Sequence, residues 1–168
     1  YIAGTESYYR LMRREFAMQY FKKILFPVDL SEVSPKLVPY VKEMAATFGA
    51  EVHLVFVARI LQHFISIYVP HPSIMNFEGE ITRGAEKRLQ EFVEEQFESD
   101  SCTARVVLGD PAEEIINYAQ AEGIDLIIIG THGRKGLDHI IFGSVAERVV
   151  KKSQVPVLTV NPYRRPIE

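Results

Sequence analysis

At 124–129 the sequence reads IDLIII, and beyond Asp125 it shows no alternation of apolar and polar residues. A strand with one face in water alternates, whereas a continuous apolar run marks a strand covered on both faces. Such cover takes helices on both sides of a parallel sheet, so the rest of the chain is expected to supply them.

The punctuation elsewhere agrees. KKILFPVD (22–29), EVHLVFV (51–57), TARVVL (103–108) and VPVLTV (155–160) are four further short apolar runs. Each is bounded by turn or helix signals, as strands are. SPKLVPYVKEMAATFG reads as a helix with Ser34 as N-cap, Pro35 at the first helical position and Gly49 as its stop. Pro39 removes one early hydrogen bond and is expected to disturb the first turn. In ITRGAEKRLQEFVEEQFES (81–99), Ala85, Leu89, Phe92, Val93 and Phe97 recur near helical spacing among charges, which predicts an amphipathic helix. DPAEEIINYAQAEG places Asp110 as N-cap, Pro111 next, Glu113 three residues on and Gly123 at the stop, a capping-box arrangement. A last helix is expected from Ser144 to Lys152. The stretch 58–76 holds Pro70 and Pro72 and no clean period, so it reads as a long connection. The resulting order β-α-β-α-β-α-β-α-β is that of an α/β fold with a parallel sheet and helices on both faces.

With 168 residues the chain has room for one domain of ordinary size. We expect that domain over 18–163, with 1–17 a leader or extension carrying Tyr8, Leu11, Met12 and Phe16 on one helical side, and 164–168 a tail. A hydrophobic content of 47% with 24% charged residues excludes disordered and fibrous classes. The net charge of −3 offers no strongly basic face, so no nucleic-acid partner is expected. The single cysteine, Cys102, excludes an internal disulfide and a multi-cysteine metal site, and fits a reducing, cytoplasmic setting. The longest apolar stretch, 52–69, carries Arg59 near its middle. Inserting that charge costs roughly 2.5–3.5 kcal/mol, so a buried strand running into a loop is expected there, not a membrane span.

Familiar chemical signatures are missing. The sequence has neither a P-loop nor a G-x-G-x-x-G fingerprint, and it lacks H-E-x-x-H and G-x-S-x-G. His53, His63, His71, His132 and His139 are scattered and read as strand or surface residues. What remains is GTHGRKGLDHIIFGSVAERVV. Gly130 ends the buried strand, Gly133 follows, and Gly143-Ser144 opens the last helix. Glycines let backbone amides approach an anion, and the first turn of a helix offers free amides and a favourable dipole. Arg134 and Lys135 against Asp138 leave this loop locally positive. From the residues alone, phosphate binding and a purely turn-and-packing role both stand.

The pattern Gly130-x2-Gly133-x9-Gly143-Ser144 resembles the ATP-binding motif of the universal stress protein family. KKILFPVDLSE, GDPAEEI, IDLIIIGTHG and VPVLTV resemble further landmarks of that family, in order, over about 20–160. The resemblance implies a Rossmann-like, adenine nucleotide alpha hydrolase-like fold: an open five-stranded sheet of order 3-2-1-4-5. It also implies an ATP site, with Mg2+ accompanying the nucleotide, in the crevice between strands 1 and 4. There Pro27, Val28, Asp29 and Ile129 would bind the nucleotide, with Asp29 on the ribose side and the backbone of Val57 at the adenine. Gly130, His132, Gly133, Gly143, Ser144 and Val145 would surround the phosphates. It implies a homodimer through Val155–Val160, which would cover an apolar edge strand. The function so implied is a nucleotide-dependent sensor or switch in stress response. A slow ATPase or self-phosphorylating enzyme, and a dimeric interaction module without nucleotide, are the alternatives.

Overall fold

The computed structural model describes residues 21–59, 71–98, 102–131 and 142–163, with only the backbone of 71–78. The expected helix in 1–17, the loop residues His132 to Asp138, and His63 and His139 lie outside the described residues. The elements run β1 (Lys23–Val28), α1 (Ser34–Phe48), β2 (Glu51–Ala58), α2 (His71–Gln96), β3 (Cys102–Leu108), α3 (Pro111–Ala121), β4 (Leu126–Gly130), α4 (Ser144–Lys152) and β5 (Val157–Val160). All strands pair in parallel, in the order β3-β2-β1-β4-β5.

Alternate residues of each strand feed opposite faces. Ile24, Phe26 and Val28 pack with Leu37, Val38 and Val41 of α1 and with Leu89, Phe92, Val93 and Phe97 of α2. Leu25, Ile127 and Ile129 turn to the other face, against Ala112, Ile115 and Ala119 of α3 and Ala146 and Val149 of α4. The two layers explain why β4 reads as uninterrupted apolar sequence. They also place the reversal of winding between β1 and β4, since α1 and α2 cover one face and α3 and α4 the other.

Several boundaries differ from expectation. Helix α2 begins at His71, ten residues before the predicted start, because Pro72 falls in the first turn, where a missing N–H costs nothing. Ser34 is not the N-cap of α1. That position is Val33, in helical backbone without a side-chain cap, and the Ser34 hydroxyl turns to Asp29 instead. Pro39 sits inside α1 without ending it. The stops hold: Gly49 has φ 64° and Gly123 φ 64°, left-handed positions that favour glycine. Strand β4 starts at Leu126 because the Asp125 carboxylate accepts the amides of Lys22 and Lys23, at 2.8 and 3.0 Å. Strand β5 starts at Val157, after a turn in which the amide of Val155 donates to the Ser153 hydroxyl. Among the described residues no helix is long and apolar enough to cross a membrane; Val52–Ala58 of the apolar stretch is strand β2.

Candidate functional site

Strands β1 and β4 pair only at Ile24↔Leu126 and Leu25↔Ile127, although β1 runs on to Val28 and β4 to Gly130. Beyond that point they separate. Strand β2 likewise outruns its neighbour: β1 ends at Val28, opposite Phe56, while β2 continues to Ala58. On its β1 side Val57 therefore has no strand partner. The result is a cleft of about 770 Å³ at the C-terminal ends of the strands, within the range of small-molecule sites. Pro27, Val28, Asp29, Val57, Ile129, Gly130, Gly143, Ser144 and Val145 all line it. These are the site residues singled out in the sequence, apart from His132 and Gly133, which lie outside the described residues.

The β1–α1 turn is organised around Asp29. Its Oδ1 accepts from the Ser31 amide at 3.0 Å, the Ser31 hydroxyl at 2.6 Å and the Ser34 hydroxyl at 2.9 Å. The Asp29 amide donates to the Ser34 oxygen at 3.3 Å. Leu30 takes φ 54°, a left-handed value uncommon outside glycine, asparagine and aspartate, to complete the bend. Asp29 therefore organises the turn and also stands at the rim of the cleft.

Across the cleft, α4 opens at Gly143, an N-cap in extended backbone with φ −68° and ψ 147° and no side-chain cap. That conformation suits any residue, so the backbone itself does not call for glycine here. The Gly143 amide is already used, donating to the carbonyl of Thr131 at 2.6 Å. The amides of Ser144, Val145 and Ala146 follow in the first turn, where a helix supplies no acceptors, and none of the described residues accepts from them. A helix end of this kind favours an anion. Glu147 lines the same cleft, but its carboxylate is drawn back along the helix to Lys151 at 2.6 Å, and that ammonium holds it below the usual carboxylate range.

Three contributors carried no local signal. Thr131 is buried, and its amide donates to the Val160 carbonyl at 2.9 Å, so one residue joins β4, β5 and the start of α4. Ser34 fixes Asp29 from within a helix. Arg59, just past β2, is an exposed cation on the cleft wall. His53, read as a strand or surface residue, is a buried strand residue bonded to Tyr118 and is not part of the cleft lining.

An open parallel sheet of order 3-2-1-4-5, with helices on both faces and a cleft where its winding reverses, defines a Rossmann-like α/β protein. The chain belongs to the universal stress protein family, whose model matches residues 20–161. Universal stress protein MJ0577 of Methanocaldococcus jannaschii is 33% identical over 154 residues, spanning 83% of this chain and 94% of the relative. Universal stress protein YxiE of Bacillus subtilis is 31% identical over 146 residues, spanning 83% and 99%. Among solved structures, MJ0577 aligns with a TM-score of 0.73 at 32% identity, over 88% of this chain and 99% of that one. A universal stress protein crystallised in complex with cAMP shares the fold, with a TM-score of 0.55 at 21% identity over 86% of this chain and 99% of that one.

Proposed function

We propose that the chain is an ATP-binding universal stress protein, a nucleotide-dependent switch of the cytoplasm and not a fast catalyst. The observation that carries this reading is the cleft itself. The end of β2, where Val57 has no partner in β1, stands on one side of it, and the start of α4, which has no side-chain cap, on another. In this reading the adenine lies against the backbone of Val57 in an apolar slot, with Val55 and Ile115 nearby. The ribose meets the Asp29 carboxylate, whose direction Ser31 and Ser34 fix. The phosphates meet the Ser144 hydroxyl and the first-turn amides, with His132 and Gly133 of the preceding loop completing the cradle. A bound Mg2+ would rest mainly on phosphate oxygens and water, as this ion commonly does. The two carboxylates on the described cleft wall, Asp29 and Glu147, are already engaged by the serines and by Lys151. For the same reason neither is presented as a general base, and turnover is expected below about 1 s⁻¹.

Titration of the purified protein with ATP, GTP, cAMP and adenosine tests the site. ATP should bind more tightly than GTP, because a strand backbone reads the adenine edge. Equal affinity for the two triphosphates would overturn the adenine reading, and tighter binding of cAMP would replace ATP by a cyclic nucleotide. We further expect a homodimer through β5. That strand lies at the sheet edge with Leu158 exposed, and a bare apolar edge invites pairing. Sedimentation as a monomer at micromolar concentration would rule the dimer out.

A further inference from the structure

Helix α4 is short and shallowly seated: of its nine residues only Ala146 and Val149 are buried. A helix of this length holds no fixed direction on its own, yet in the reading above its first turn must meet phosphate. Arg148 supplies an anchor. Its Nη1 donates to Asp110 Oδ2 at 2.8 Å and its Nη2 to Glu113 Oε1 at 3.0 Å, tying α4 to the first turn of α3. Asp110 serves both helices at once. Its Oδ1 accepts the amides of Ala112 and Glu113 and so caps α3, while Oδ2 holds the guanidinium. Glu113 is thereby diverted from the capping box that its spacing suggests. Helix α3 also sends Pro111 and Ile115 to the cleft, so the fork ties together two walls of one site.

We infer that Arg148, with Asp110 and Glu113, is a positioning clamp that aims the first turn of α4 at the phosphates of the bound nucleotide. The inference rests on the nucleotide reading and deepens it. Arg148 makes no contact with the ligand in this scheme and acts through the helix it anchors. In support, the Arg148 hydrogen bond is the main cause holding the Asp110 carboxyl below its usual range.

Charge reasoning separates aiming from simple attraction. Arg148→Gln removes a positive charge near the phosphates, and the double change Asp110→Asn with Glu113→Gln removes two negative ones. Asparagine caps a helix about as well as aspartate, so the double variant keeps the start of α3. Long-range electrostatics alone would make the first variant bind ATP more weakly and the second more tightly. A clamp makes both bind more weakly. We expect each to lose about three- to tenfold in ATP affinity, in line with a part-exposed ion pair, and to stay within about twofold for adenosine, which has no phosphate. Arg148→Lys, a point charge that cannot fork, should fall between. Melting temperatures on the same samples report folding. Opposite shifts in the two variants, equal losses for ATP and adenosine, or parent-like ATP affinity in both would overturn the clamp while leaving the site. A parent protein that binds neither ligand would overturn the nucleotide reading and the clamp with it.

Discussion

Helices α3 and α4 start on the same face of the sheet, at the same end, from N-cap residues in extended backbone. The angles are φ −79°, ψ 123° at Asp110 and φ −68°, ψ 147° at Gly143. At Asp110 a carboxylate of the chain accepts two of the first amides, each at 3.1 Å. At Gly143 no side chain among the described residues does so, and the residue that could compete, Glu147, is held back by Lys151. One helix mouth is closed from within; in the proposed reading its neighbour takes an anion from outside. The difference lies in a single residue type at the cap, so exchanging caps is the direct way to break it.

Gly143→Asp should have the largest effect. An aspartate there would accept the first-turn amides and oppose a phosphate by like charge. Each charge-assisted bond lost is worth roughly 1.5–3 kcal/mol, so ATP affinity should fall by about a hundredfold or more. The melting temperature should hold or rise, because aspartate caps at least as well as glycine. A variant that stays folded and still binds ATP like the parent would show that phosphate does not sit at α4. Ser144→Ala is milder. It removes one hydroxyl bond to a charged group and should weaken ATP about ten- to a hundredfold with little change in adenosine binding or melting temperature.

The capped helix should answer in the opposite currency. Asp110→Ala strands two amides of α3, and a lost cap costs typically about 1 kcal/mol. Its main readout is therefore a lower unfolding midpoint in denaturant, with a loss of ATP affinity no larger than that of the Arg148 variants. A loss of binding with no loss of stability would reverse the roles assigned to the two helix starts.

What could be read from the residues, and what could not, divides along the same line. The Asp110 cap, the glycine stops and the amphipathic spacing of Ala85 to Phe97 are local patterns, and local patterns are legible. Helix α2 was read ten residues short, because Pro72 looked like a breaker when taken without its position in the turn. Ser34 was read as a cap because serine before proline suits that role, while its partner Asp29 lies outside the helix. Arg148 gave no sign at all: Asp110 is 38 residues away, and only the packing of α4 on α3 brings them together. Strand order, too, is non-local. It came with the family resemblance, and the β1–β4 separation that opens the cleft follows from it. Nine site residues named from the sequence fall on that one cleft, while the loop carrying His132 and Gly133 lies outside the described residues.

The smallest expected effect lies at the other end of α3 and tests how far the comparison extends. His53 is buried on β2, its Nδ1 3.0 Å from the Tyr118 hydroxyl of α3. Burial, and next the charge of Lys23, lower its pKa, against smaller opposing effects of Glu122 and Glu51; Arg105 also lies close enough to act on Tyr118. The folded state therefore favours neutral His53, while the unfolded chain takes up a proton near pH 6.5. Stability from this residue is fully present above that pH and is lost as pH falls through the lower folded value. The depressed carboxyls Asp110 and Glu147 titrate in a more acidic window and do not interfere. Between pH 7.5 and 5.5 the parent should lose melting temperature, and His53→Gln, which keeps a partner for Tyr118 but does not titrate, should lose less. Adenosine affinity at pH 7.5 should be the same in both, because His53 anchors the far half of α3 and not the end that meets the cleft. Equal pH slopes would mean that His53 is not the titrating group. A drop in adenosine affinity in His53→Gln would mean that α3 transmits strain along its length, and that its two ends cannot be treated separately.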